Sequence, residues 1–236
     1  MLKKVSFVVL LAILFMAYES THGQPHTSGI NHTVELGAEE ATTMSSEANA
    51  ETAEQPYVIS RFDHIMRAVG EEEGVDWRFM SAIAYSESRF IEDLESSRGA
   101  LGIMQIRPVV ARHFNVPVEE INDTATNVRL AGMLLSELSG ILRIPASTPA
   151  EDRLSIILAS YNAGIGHVMD ARRLARSEGN NPNSWETVLH YLELKADPEY
   201  YERDIVQSGK FTGYKQTNGY VKEVMRKYRQ YCKIAS

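Results

Sequence analysis

Apolar residues recur along most of this chain at intervals of three and four, the period of a helix with one buried face. Tyr57, Phe62, Ile65, Met66 and Val69 form one such stripe. Trp77, Met80, Ile83 and Ala84 form a second, with Asp76 placed to cap it. A third, Val128, Ala131, Leu134, Leu135 and Leu138, is expected to stop at Gly140. Leu154, Ile157, Leu158 and Tyr161 make a fourth, and Val168, Ala171, Leu174 and Ala175 a fifth. Tyr220, Val221, Val224, Met225, Tyr228, Tyr231 and Cys232 trace a strongly amphipathic last helix, with Cys232 on its core side and Tyr220 in its first turn. No pair of strands and no internal repeat is legible. The pattern predicts an all-α domain over residues 57–236.

The second stripe carries an anomaly. Extended by three and four residues it reaches Glu87 in "SES", so a carboxylate is expected to face inward. Burial disfavours the charged form, raises the pKa, and can keep such a group protonated near neutrality, as a general acid must be. A Glu at a helix end that turns outward, or that pairs with Arg89, explains the same residue equally well.

Before the helical region the pattern changes. "MLKK" followed by the apolar run 5–17 reads as a secretory signal peptide over residues 1–23. The run falls short of the ~20 residues of a comfortable span, which leaves an uncleaved anchor as the alternative. Residues 24–56 contain six Glu and no Lys or Arg, and read as an acidic low-complexity linker. The whole chain of 236 residues has a formal charge of −7, yet residues 57–236 are close to neutral. No basic stripe with interleaved aromatics is present, which argues against nucleic-acid binding. Cys232 is the only cysteine, so an intramolecular disulfide and a cysteine metal cluster are excluded. His64, His113, His167 and His190 show no metal-ligand spacing, and no cofactor or metal is expected. His167 reads as a surface histidine at a helix N-terminus.

Two further stretches bear on Glu87. In "SSRGALGIMQI" (96–106), Gly99 and Gly102 let the backbone approach a ligand, and Met104 and Gln105 supply an adaptable apolar group and an amide. A plain turn accounts for the two glycines as readily. "LASYNAGIGHVMDA" (158–171) sets a ring, Tyr161, beside an amide, Asn162, a pair suited to a sugar face and its N-acetyl group. Tyr161 in the core and Asn162 as a helix cap are the bland alternatives.

Together and in this order, "SES", "GALGIMQI" and "ASYNAG" resemble the core motifs of the Slt-type lytic transglycosylases, glycoside hydrolase family 23. "TNVRLAGMLL" (126–135) and "GYVKEV" (219–224) resemble two further motifs of the family, and 166–175 is similar to its membrane-bound transglycosylase F subgroup. The solute-binding-like domain usual in that subgroup has no counterpart in these residues, and Gln216 stands where many members carry Glu.

The resemblance implies a lysozyme-like (goose-type) helical fold and a peptidoglycan-cleaving enzyme. It implies Glu87 as the acid/base, with Ser96, Met104, Gln105, Tyr161, Asn162 and Tyr220 lining a glycan cleft. The partners it implies are peptidoglycan glycan strands, with cell-wall synthesis or secretion machinery as candidates, for a monomer in the periplasm or envelope of a bacterium. Asp93 and Asp170 fall outside the matched positions and read as surface residues. The motifs offer one carboxylate where ordinary glycosidases need two, which fits closure of a 1,6-anhydro ring rather than attack by water. A goose-type hydrolase and a non-catalytic peptidoglycan-binding or assembly protein are the competing readings.

Overall fold

The Asp76 carboxylate accepts a hydrogen bond from the Arg78 amide at 2.9 Å and so starts the helix on which the rest of the domain is built. The computed structural model describes residues 58–235. The expected signal peptide, the linker and Tyr57 lie outside them. The helices are α1 (Asp63–Glu73), α2 (Trp77–Ser88), α3 (Pro108–His113), α4 (Thr124–Leu142), α5 (Ala150–Ala163), α6 (Ile165–Ser177), α7 (Trp185–Leu194), α8 (Pro198–Tyr201) and α9 (Tyr214–Ile234). A 3-10 turn, Val118–Asn122, precedes α4. Among the described residues there is no strand, only isolated antiparallel bridges of Leu101 with Glu95 and Ile106. The all-α expectation holds.

α2 is central because it is apolar on most sides: Phe79, Met80, Ala82, Ile83 and Ala84 are all buried. α9 and α1 pack on it most extensively, α9 also leans on α5, and α5 bridges α4 and α6. Asp76 fixes the α2–α9 crossing as well as its own helix, since it accepts a bond from the Tyr228 hydroxyl at 2.8 Å. Gly132 marks where α1 and α4 meet: a Cβ there would lie 2.5 Å from Val69 Cγ1.

Several expected boundaries shift. Gly140 does not stop the third helix; α4 continues to Leu142 and ends at Arg143 in the left-handed region. A solvent-exposed glycine costs a helix interior about 1 kcal/mol, too little to break one anchored by Leu135, Leu138 and Leu142. α5 buries Ile156, Leu158 and Ala159 while Leu154 and Ile157 are half-buried, so its face is rotated from the expected stripe. α9 begins at Tyr214, six residues early, which puts Tyr220 in the second turn. Its core face is Val221, Val224 and Met225, as expected, but Cys232 is only half-buried.

Candidate active site

α2 ends at Ser88, one residue past Glu87, with Arg89 and Phe90 both at positive φ (57° and 65°). The chain then doubles back, and the Ser88 hydroxyl donates to the Ile103 carbonyl at 2.9 Å, tying the helix end to the 94–106 loop. Arg89 swings away and pairs with Glu223 on α9, so it does not neutralise Glu87. The Glu87 carboxyl is enclosed by protein on most sides, and this desolvation raises its pKa from 4.5 to about 7. Tyr220 interacts with it in the opposite sense, lowering the pKa by hydrogen bonding to the carboxyl. The approach stops short of regular hydrogen-bond geometry, and the Tyr220 hydroxyl is buried without a properly formed bond. Burial and the nearby Glu87 charge both push the Tyr161 and Tyr220 phenols well above 10, so both rings stay neutral donors.

Glu87 opens into a cleft of about 290 Å³ between the 94–106 loop, α4, α5 and the start of α9. Ser96, Gln105, Tyr161 and Asn162 line it. So do Arg98, Arg107, Leu134, Leu138 and Gln216. Among the described residues that line it, Glu87 is the only carboxylic acid. A second depression of about 330 Å³, bounded by Asp76, Phe79, Ser139 and Arg153, shares no residue with it and contains none of the predicted site residues.

The loop is built by its own hydrogen bonds. The Ser96 amide donates to the Ala100 carbonyl at 2.9 Å, and the Ser96 hydroxyl accepts from the Ala100 amide at 2.9 Å. Gln105 is at φ 50°, and its Nε2 donates to the Leu94 and Gly102 carbonyls, both at 3.0 Å. Its donors are thus spent inside the loop. Beneath lies Asn127, fully buried on α4, which accepts from the Met104 amide and donates to the Leu101 and Ile121 carbonyls. Tyr161 then reaches over from α5 and donates to the Met104 carbonyl at 2.8 Å.

Two of the expected cleft residues, Tyr220 and Met104, do not line the cleft, and Met104 is the more displaced. Its side chain is fully buried in the core and does not line the cleft. It acts through its backbone, held on one side by Asn127 and on the other by Tyr161. Tyr220 touches Glu87 from α9, without lining the open part of the cleft. Asn162 is no helix cap, since Gly164 ends α5; its Oδ1 accepts from the Thr217 hydroxyl at 3.1 Å.

Asp170 and His167 correct their surface assignments. Asp170 is wholly buried, where it pairs with buried Lys195 at 2.6 Å and with Arg173, and accepts from the backbone amides of Gln207 and Ser208 at 2.8 Å. His167 Nδ1 lies 3.0 Å from Lys195 Nζ, and its ring stacks near Phe211. Burial, then the Lys195 charge, lower the His167 pKa to about 4; burial lowers that of Lys195 to about 8 against the pull of Asp170. This hub anchors segment 207–211 and, through it, the start of α9. Lys195 belongs to no apolar stripe and lies 25 residues from Asp170, so the partnership leaves no local signal. Asp93 is exposed, as expected.

Among the described residues, no group of three or more His, Cys, Asp or Glu is placed to hold a metal ion, and no helix is long and apolar enough to cross a membrane.

Fold and cleft together define an all-α domain whose cleft sets one carboxylic acid, Glu87, beside hydroxyl, amide and guanidinium groups. The Transglycosylase SLT domain family matches residues 64–183, just over half of the chain, and the chain belongs to that family. Among curated proteins it is similar to membrane-bound lytic murein transglycosylase F of Cellvibrio japonicus, 36% identical over 143 residues, covering 58% of this chain and 27% of the relative. The protein of the same name from Marinobacter nauticus is 33% identical over 145 residues, covering 61% and 28%. The chain therefore spans under a third of the length of these relatives. The solved structure of lytic transglycosylase Slt from Pseudomonas aeruginosa aligns over 72% of this chain and 24% of that one, at 19% identity and a TM-score of 0.49.

Proposed function

We propose that this protein is a peptidoglycan lytic transglycosylase that cleaves the β-1,4 bond between N-acetylmuramic acid and N-acetylglucosamine and leaves 1,6-anhydro ends. The observation that carries this reading is Glu87: a carboxyl raised to about 7, alone among the described cleft residues in being an acid. Protonated, it gives its proton to the glycosidic oxygen as the bond to the anomeric carbon breaks. The substrate's own acetamido oxygen stabilises the developing cation. The Glu87 carboxylate then takes the proton of the 6-hydroxyl, whose oxygen bonds to the anomeric carbon. The ring closes without water, and Glu87 is protonated again. A hydrolase with an activated water on the far face calls for a second carboxylate, and an intramolecular hydroxyl can command effective molarities of ~10⁵ M or more.

Arg98 and Arg107 add positive charge to the cleft, suited to the carboxylates of peptide-bearing glycan. An exported enzyme of the bacterial envelope fits the N-terminal pattern and the names of the relatives, which are membrane-bound murein enzymes. The test is mass spectrometry of sacculi digested by the wild type and by Glu87→Gln. Muropeptides with 1,6-anhydro ends from the wild type alone support the reading. Reducing ends would make the protein a hydrolase. Neither product from folded protein would leave a binding or assembly role.

A further inference from the structure

Thr217 is buried in the first turns of α9, and its hydroxyl proton goes to Asn162 Oδ1 at 3.1 Å. That hydroxyl makes no other hydrogen bond among the described residues. Turning the Asn162 amide over would strand its proton, so the amide has a fixed polarity. Asn162 Nδ2 has no protein partner and is not among the buried unsatisfied atoms, so in a cleft-lining residue it is left open to a ligand. Gln105 is fixed the other way: both Nε2 protons are held by the Leu94 and Gly102 carbonyls, and Oε1 remains open. The cleft therefore presents one carboxamide as a donor and another as an acceptor. An acetamido group has the complementary pair, a carbonyl that accepts and an N–H that donates.

We infer that Thr217 is a positioning residue for sugar selectivity: it holds the Asn162 amide so that its N–H faces the acetamido carbonyl of a 2-acetamido sugar. This rests on reading the cleft as a glycan site, but not on catalysis, so it is tested by binding. In the non-cleaving Glu87→Gln background, titration calorimetry would compare the β-1,4 tetramer of N-acetylglucosamine with cellotetraose, which has the same backbone without acetamido groups. Adding Thr217→Val should weaken binding of the acetylated tetramer roughly two- to tenfold, the range of one net hydrogen bond. Cellotetraose affinity, however weak, should not fall. Thr217→Ser should restore the acetylated tetramer, and ¹⁵N spectra should show the Asn162 side-chain protons moving on its addition. Three results would overturn the assignment: no binding of the acetylated tetramer, a Thr217→Val variant that binds it as tightly as its parent, or equal weakening for both sugars with unchanged melting temperature. Sacculus digestion stands apart from all three, so a failure of the proposed reaction would be seen separately.

Discussion

Asn127 occupies the space that a side chain at Gly102 would need. A Cβ on Gly102 would lie 2.5 Å from Asn127 Nδ2 and 2.7 Å from its Cγ, and Gly102 is also held at φ 73°. The pair fixes the 94–106 loop, because the same amide that excludes a side chain at Gly102 binds Leu101, Met104 and Ile121. Gly102→Ala should therefore cost on the order of 2–4 kcal/mol, read as a lower urea midpoint with unchanged slope. A loss under 0.5 kcal/mol would mean that the loop relaxes without Asn127.

The alkaline limb of the pH–rate profile of the proposed reaction should follow Glu87. With its pKa near 7, the protonated fraction, and the rate on soluble glycan, should fall as pH rises through 7. Tyr220 lowers that pKa, so Tyr220→Phe should move the limb to higher pH while reducing the maximum rate. A limb that stays in place in the variant would show that Tyr220 does not act on the carboxyl.

Stability should depend on pH through two groups that oppose each other. Glu87, raised from 4.5 to about 7, holds its proton more tightly in the fold. Its contribution is complete below pH 4.5 and is lost as pH rises through 7. His167, lowered from 6.5 to about 4, contributes fully above pH 6.5 and loses this as pH falls toward 4. Between pH 5 and 7 the wild type should be nearly flat. Glu87→Gln should become more stable over that interval and His167→Gln less stable, each by on the order of 1–2 kcal/mol. Flat profiles in both variants, measured by urea unfolding at pH 5 and 7, would contradict both assignments.

Asp170→Asn should be more damaging than any change on the cleft surface. It would leave Lys195 buried without its counter-charge, a loss of about 3–5 kcal/mol. Replacing both, as Asp170→Leu with Lys195→Met, should recover only part, because the Gln207 and Ser208 amides would still lack their acceptor. Limited proteolysis should then find new cuts near 207–211. A double variant as stable as wild type would show that these amides find water instead.

What the sequence disclosed depended on whether a partner lay within a helical turn. Glu87 was legible because Met80, Ile83 and Ala84 define its face three to seven residues away. Asp170 and His167 looked like surface groups because their partners, Lys195 and the 207–208 amides, arrive from 25 to 38 residues downstream. The first six residues of α9, "YKQTNG", show no apolar stripe, so the pattern marks its start only at Tyr220. Only Thr217 in that stretch is buried, and it is held there by a hydrogen bond as well as by packing. The resemblance implies a cleft role for Met104, whereas the position contributes a carbonyl to Tyr161, a role that side-chain type does not encode.

The end of α2, one residue past Glu87, has a consequence for how the proposed reaction is completed. The last turn of a helix carries partial negative charge on its free carbonyls, which opposes ionisation of a nearby carboxyl in the same sense as burial does. An acid that is reluctant to ionise leaves behind an anion that is eager for a proton. On the Brønsted scale a carboxylate whose conjugate acid has a pKa near 7 is a markedly stronger base than an exposed glutamate at 4.5. Burial, with the helix end acting in the same sense, thus stores in the carboxylate left by the first proton transfer the driving force for the second. A single side chain can then work in both directions without a partner to recharge it.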